Sequence, residues 1–214
     1  MRNTHCSTAI EDNPLTLEQV RLIEEGQGLP AEPPRAKREV LNYLAGLCHI
    51  ERPANKKRIT HRDVFTLHTM LAAEVMDQGD AGRYTPPAPQ LVSGFMAELL
   101  AWWNEPSREW SPVISSTVLH YRFEDIHPFA DGSGRTGRAL ALWELYRQGF
   151  DTHHIFSVDE VYREDRPAYY AALANVQQQG GDLTEWLQYS ARALRVTLDR
   201  VWTRTQRHPK IRAL

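Results

Sequence analysis

Residues 126–138 read IHPFADGSGRTGR, and the fold turns on how their glycines are understood. Gly132-x-Gly134-x-x-Gly137 has the spacing of a dinucleotide-binding fingerprint. Such a fingerprint must follow a β-strand and open a helix inside a βαβ unit. Here SSTVLHYRFEDI (115–126) precedes it, with Arg122, Glu124 and Asp125 crowded at its end, and this reads as the end of a helix. A Walker A loop needs Gly-Lys-Ser/Thr, which the stretch lacks. The glycine spacing alone is therefore weak grounds for a nicotinamide or flavin cofactor.

Working outward, the helical period dominates. TLEQVRLIEEG has Thr16 as N-cap, Gln19 three residues on, Leu17, Val20 and Ile23 near one face, and Gly26 as stop. A Pro-rich turn then leads into a helix with Val40, Leu41, Leu44 and Leu47 inward. The next has Thr60 as N-cap, Asp63 in the capping-box position and a Val64, Leu67, Leu71 stripe. GDAGRYTPPAPQ (79–90) is a loop by composition. LVSGFMAELLAWWNE is a helix closed by Pro106, and SPVISSTVLHYRFEDI a buried one with Ile114, Val118, Leu119 and Tyr121 available to the core. RALALWELYRQG ends at Gly149. VDEVYREDRPAYYAALANVQQQGG reads as one further helix, and LTEWLQYSARALRVTLDRVWTRTQR, with Leu183 and Trp186 opening its apolar side, as another. No segment alternates over a strand's length. The pattern predicts an all-α bundle of about eight helices.

The chain has 214 residues, 42% hydrophobic and 24% charged, enough for one globular domain with a sizeable core. A formal charge of −2 offers no nucleic-acid or acidic-membrane footprint. Cys6 and Cys48 alone make neither a disulfide framework nor a four-cysteine zinc site. The N-terminus lacks a signal-peptide core, and no run approaches ~18 apolar residues. A cytoplasmic protein is the expectation.

The central stretch carries chemistry of its own. Gly132 and Gly134 allow positive φ and close approach to a ligand. A helix starting near Arg135 offers free N–H groups and the positive end of its dipole. Arg135 and Arg138 project from that first turn, where cations are unfavourable by the dipole alone, and two of them suit a polyanion of triphosphate size. Asp131 stands where a carboxylate could hold Mg²⁺ bridging phosphates. His127 lies at the mouth of the loop, where a neutral imidazole can take a proton from an incoming hydroxyl. Phe129, apolar among polar neighbours, anchors the loop. Singly, each feature has an ordinary explanation. Their arrival together in one short stretch does not.

At this point HPFADGSGRTGR resembles the signature of Fic-domain proteins, His-x-Phe-x-Asp/Glu-Gly-Asn-Gly-Arg-x-x-Arg, with His127, Phe129, Asp131, Gly132, Gly134, Arg135 and Arg138 in register. Residues 86–105 and 163–187 resemble the segments before and after the family's central helices, and the likeness spans most of residues 7–190. The resemblance implies a Fic-like all-α bundle and transfer of AMP from ATP to a protein hydroxyl. It makes His127 the general base and Asp131 the Mg²⁺ ligand. Gly132, Ser133, Gly134, Arg135, Thr136, Gly137 and Arg138 become the nucleotide site, with Arg135 on the α- and β-phosphates and Arg138 on the γ-phosphate. Ser133 replaces the usual Asn, which implies a weaker hold on the α-phosphate or on the loop. Family members commonly carry a small β-hairpin flap. Here Tyr84 runs straight into Thr85-Pro86-Pro87, so the flap is reduced or missing from the sequence. A winged-helix domain common after the core is expected to be absent.

STAIEDN (7–13) resembles the family's inhibitory motif, Ser/Thr-x-x-x-Glu-Gly/Asn, with Asp12 at the Gly/Asn position. Ser7 is expected to cap a short helix, and Glu11 to form a bidentate pair with Arg138 that leaves ATP in a nonproductive pose. The implied organisation is an N-terminal helical region (1–60), a Fic core (61–200) and a tail (201–214). The partners implied are ATP and a protein target, which could be the chain itself, with neither membrane nor nucleic acid; an oligomer stays open. Three alternatives stand beside AMP transfer: a transferase using another nucleotide or a phosphocholine donor, an enzyme that removes AMP by a Glu11-positioned water, and a non-catalytic nucleotide-binding module. The presence of His127 argues against the last, since a binder needs no base.

Overall fold

A computed structural model describes residues 2–27, 34–52, 56–75, 87–150 and 155–207. Among them are ten α-helices, one 3-10 turn and no strand. The helices are α1 (Arg2–Ile10), α2 (Leu17–Glu24), α3 (Pro34–Glu51), α4 (His61–Ala72), α5 (Pro89–Asn104), α6 (Pro112–Ile126), α7 (Ser133–Arg147), α8 (Val158–Glu164), α9 (Arg166–Gln178) and α10 (Thr184–Arg207), with the 3-10 turn at Pro106–Glu109 between α5 and α6. The all-α class is as expected, with ten helices where the pattern gave about eight. One extra helix is α1, over a stretch too polar for its periodicity to show; the short helix that the motif resemblance implied from Ser7 starts at Arg2 instead. The other arises because the single helix expected over 158–181 breaks at Asp165. Its carboxylate accepts from the Ala168 N–H at 3.1 Å and caps α9, while Pro167 removes a donor the preceding turn would need.

Local rules account for most boundaries. Thr16 and Gln19 form the reciprocal capping box of α2. At α4, the Thr60 N–H and hydroxyl both donate to Asp63. Pro106 closes α5 by starting the 3-10 turn.

The α6–α7 pair is the axis. On one side Tyr43, Leu67, Leu71, Trp103, Leu119, Phe123, Leu140 and Trp143 form the larger core. On the other, Ile10, Tyr121, Tyr162, Tyr169, Val176 and Trp186 form an aromatic one. Each fully buried large side chain contributes about 1.5–3 kcal/mol. Ile114, expected inside, is exposed, whereas Phe123 and Ile126 on the same helix are buried. Ile114 stands in the first turn of α6, before the inward face established by Val118 and Leu119. Leu41 is only partly buried, and Tyr43 and Ile50 carry the inner face of α3 beside Val40 and Leu47.

The aromatic core fixes α1 against α8, and the packing of α1, α4 and α7 brings the N-terminus, the middle of α4 and the 127–138 loop together. Among the described residues, no helix is long and apolar enough to cross a membrane. The expected flap position (76–86) and the end of the tail (208–214) lie outside the described residues. α10 continues through position 200 without a break.

Candidate active site

Helix α6 ends at Ile126, and His127 takes a left-handed conformation (φ 46°, ψ 59°) while its N–H still donates to the Phe123 carbonyl at 3.0 Å. A left-handed non-glycine residue costs of order 1–3 kcal/mol and persists where the surroundings impose it. Pro128 follows and prevents the helix from continuing. The turn leaves the His127 ring half-buried, with Nδ1 4.0 Å from Glu124 Oε2. Burial lowers the His127 pKa, against a smaller upward pull from its hydrogen bond to the Glu124 backbone and from the Glu11 charge. The imidazole is therefore neutral at neutral pH.

The loop returns through Phe129, whose ring stacks on His68 with centroids 3.5 Å apart and planes 6° apart. Ser133 closes the turn. Its hydroxyl donates to the Phe129 carbonyl at 3.1 Å and accepts from the Phe129 N–H at 3.3 Å. Ser133 thus faces the loop rather than outward, so its consequence is for loop shape. Gly132 sits at φ 76° as the N-cap of α7, where any side chain would be strained. The helix begins at Ser133, two residues earlier than expected. Gly134 lies inside it without positive φ; a Cβ there would fall 2.8 Å from Glu11 Oε1, the movable end of a side chain, so it would press on the glutamate rather than on the turn.

The helix start has no side-chain cap, so no N-cap side chain takes up its first N–H groups. Arg135 is buried and donates to Asp131 Oδ1 at 3.2 Å, while its Nε is buried without a hydrogen-bond partner. Orphaned buried donors are uncommon, and one at a helix N-terminus suits an anion.

Arg138 is 2% exposed. Its Nε donates to Ser7 Oγ at 2.8 Å, and its Nη2 to the Ser7 carbonyl at 3.1 Å and to Glu11 Oε1 at 2.7 Å. The guanidinium is thus shared between Ser7 and Glu11 rather than gripped by the two-point carboxylate fork expected. Burial opposes its charge, but Glu11, Tyr169, Asp159 and Tyr43 overcome this and hold its pKa above the ordinary value. Ser7 is not an N-cap. It lies in the second half of α1, fully buried, because α1 starts five residues earlier. Glu11 follows the helix end, and Asp12 takes φ 64° and pairs with Arg166 on α9. The Gly/Asn position of the resemblance is thus a left-handed one, which Asp tolerates better than most residues.

The structure therefore brings Ser7, Glu11, His127, Asp131 and the 132–138 turn to one place. It adds residues the sequence did not signal. Asp159 lies 3.8 Å from Arg138 Nε, and Tyr43 donates to Asp159 at 3.4 Å. Glu124 is mostly enclosed, its Oε1 buried without a hydrogen-bond partner, and this burial pushes its carboxyl pKa up to about 7 against the pull of Arg138. His68 reaches Thr136 from α4. Tyr43, His68 and Asp159 lie on distant segments, and Glu124, three residues before His127, owes its setting to burial, so tertiary packing is what reveals them. Among the described residues no group of three or more His, Cys, Asp or Glu gathers to hold a metal. A cation here would rest on the single Asp131 carboxylate with phosphate oxygens and water, which fits Mg²⁺.

The Fic/DOC family model matches residues 58–145. Protein adenylyltransferase fic-1 of Caenorhabditis briggsae is 30% identical over 210 residues, covering 91% of this chain and 39% of that protein. Protein adenylyltransferase Fic of Nematostella vectensis is 29% identical over 217 residues, covering 95% and 49%. The crystal structure of a Fic family protein from Desulfovibrio desulfuricans G20 superposes with a TM-score of 0.80 at 31% identity, covering 95% of this chain and 65% of that one. The chain thus spans less than half the length of these two curated relatives.

Proposed function

Because the chain belongs to the Fic/DOC family, we propose that it transfers AMP from ATP to a side-chain hydroxyl of a protein, and that Glu11 restrains the reaction. The observation that carries this reading is a neutral, half-buried His127 imidazole beside an uncapped helix N-terminus flanked by two buried arginines. A base of that kind has work to do only if a proton must move.

In the proposed step, His127 takes the proton of the acceptor hydroxyl. The oxygen attacks the α-phosphorus, the bond between that phosphorus and the oxygen bridging to the β-phosphate breaks, and pyrophosphate leaves with the electron pair. The N–H groups of the 132–134 turn and Arg135 receive the phosphate charge as it redistributes. Thr136 and Gly137 complete the turn. Mg²⁺, bound by Asp131 and phosphate oxygens, would supply further charge neutralisation.

Arg138 is assigned to the γ-phosphate. With Glu11 on Nη2, that role is taken, and ATP settles in a pose whose α-phosphorus is not in line. Ser7 supports the same hold. The target is a protein, with the chain itself as one available acceptor. The free thiols of Cys6 and Cys48 fit a reducing, cytoplasmic setting.

Incubation with ATP labelled at the α-phosphate, and separately at the γ-phosphate, tests the reaction. AMP transfer puts only the α-label on protein. Protein labelled only from the γ-position would establish phosphoryl transfer instead, and ATP binding without label would establish a binding module.

A further inference from the structure

His68 on α4 is not in the 126–138 stretch, yet it touches both ends of the loop. Its ring lies flat on Phe129 at the loop's beginning. Its Nδ1 stands 3.3 Å from Thr136 Oγ1 at the other end. The Thr136 hydroxyl has one hydrogen, and at 2.8 Å from the Gly132 carbonyl it donates there. Towards His68 it must therefore accept. This fixes the His68 tautomer with the proton on Nδ1, and completes a chain of two donations from His68 through Thr136 to Gly132.

The Gly132 carbonyl is the end of that chain, and it also accepts the first main-chain hydrogen bond of α7, from Thr136 N at 3.0 Å. Holding this carbonyl fixes the peptide plane that follows it, and so the direction of the first N–H groups of the helix. His68 Cε1 would come within 3.4 Å of a Cβ at Gly132, so the ring also backs the left-handed turn directly. The ring is buried, which pushes its pKa down to about 4 despite the nearby Asp131 charge. It remains a neutral donor with a fixed tautomer across the physiological range. A neutral brace adds no charge to compete with Arg135 for an anion.

We propose that His68 is a positioning residue for the phosphate-binding turn, orienting the N–H groups at the start of α7 through Thr136 and Gly132. This rests on the reading of that turn as a phosphate site. The role differs from that of Ser133, which joins the two sides of the loop internally, and from that of Glu11 and Ser7, which hold Arg138.

The test uses calorimetric binding of ATP with Mg²⁺ to the full chain carrying Glu11→Gly, so that the restraint does not enter, with thermal unfolding measured alongside. Arg135→Ala in this background reports on the phosphate reading itself. His68→Phe retains the flat ring on Phe129 but cannot donate; His68→Asn loses the stack but restores a donor near the Nδ1 position. The expected result is an affinity roughly five- to tenfold weaker in His68→Phe with an unchanged unfolding midpoint, the worth of about one hydrogen bond. His68→Asn should bind within about twofold of its parent even if it melts earlier, by the same hydrogen-bond arithmetic. Adding His68→Phe to Thr136→Val should cost nothing beyond Thr136→Val alone, because the chain is already cut. If Arg135→Ala binds ATP as its parent does, the phosphate reading fails and takes the role of His68 with it. If Arg135→Ala weakens binding while His68→Phe does not, the site stands and the His68 proposal is overturned. Losses in both His68 variants that simply follow their unfolding midpoints also overturn it, since they mark a residue that only supports the fold.

Discussion

Glu11 and Arg138 lie 127 positions apart and meet through a 2.7 Å hydrogen bond between Glu11 Oε1 and Arg138 Nη2. The arginine is 1% exposed at its side chain and the glutamate 33%, so the partner that can leave is the glutamate. Withdrawing it exposes one face of a guanidinium that Ser7 and Asp159 continue to hold in place. This geometry suits the restraint proposed for Glu11, one that can be released without disturbing the arginine it holds.

Glu11→Gly should therefore raise self-labelling from α-labelled ATP. A charge-assisted hydrogen bond is worth about 1–3 kcal/mol, or roughly five- to 150-fold in population. Adding Arg138→Ala should abolish the gain, because the arginine is the group being freed. Equal labelling rates in Glu11→Gly and the unsubstituted chain, with ATP binding verified, would leave STAIEDN as a helix end and nothing more.

His127 is best removed by His127→Asn, because Asn accepts the left-handed backbone that Ala would strain. The labelling rate should fall by about 10²–10⁴ with ATP affinity nearly unchanged. The pH profile carries a second signature. Burial lowers the His127 pKa, so the base form persists below the ordinary imidazole value of 6.5, and the acid limb of the rate should lie beneath that value. A limb above 6.5 in the Glu11→Gly background would contradict the assignment.

Glu124 provides a stability test. Its pKa rises from 4.5 to about 7, chiefly by burial, so the folded chain binds a proton that the unfolded chain releases between those values. The stabilising contribution is complete below about pH 4.5 and is lost as pH rises through about 7. Glu124→Gln keeps the shape without the charge. It should unfold later than the unsubstituted chain at pH 8, by an amount up to about 3 kcal/mol, and the difference should vanish towards pH 4.5. A difference independent of pH would show that the carboxyl does not titrate in its buried place.

Ser7 offers a fourth. Ser7→Ala removes the acceptor for Arg138 Nε inside the core, at a cost of about 1–3 kcal/mol for a buried donor left unpaired. Because Ser7 and Glu11 share α1 and its end, the same change should loosen the restraint and raise labelling, though less than Glu11→Gly does. A fall in both stability and labelling would place Ser7 on the side of catalysis instead.

The helices were legible where side chains announced them. Thr16, Thr60 and Pro106 mark ends, and the Val64, Leu67, Leu71 stripe marks an inward face. The 127–138 stretch stood out because its residues are contiguous, so one length of chain carries the imidazole, the carboxylate, the turn and the arginines proposed to act together. What escaped lies across the fold. Helix α1 buries polar residues such as Thr4, Ser7 and Thr8 against α8 and α3, so no apolar period betrays it. The break at Asp165 depends on a cap that competes with helix continuation, and Ile114 faces out because it stands in the first turn of α6, before the helix becomes packed. His68, Glu124 and Asp159 acquire their settings only when four separate helices meet.

The most direct measurement is the intact mass of the Glu11→Gly chain after incubation with ATP and Mg²⁺, beside the same chain carrying His127→Asn. The expected result is a gain of whole AMP units in the first and none in the second. No gain in the Glu11→Gly chain and an added protein substrate alike, with ATP bound, would contradict AMP transfer by this site, and so would an equal gain in the His127→Asn chain.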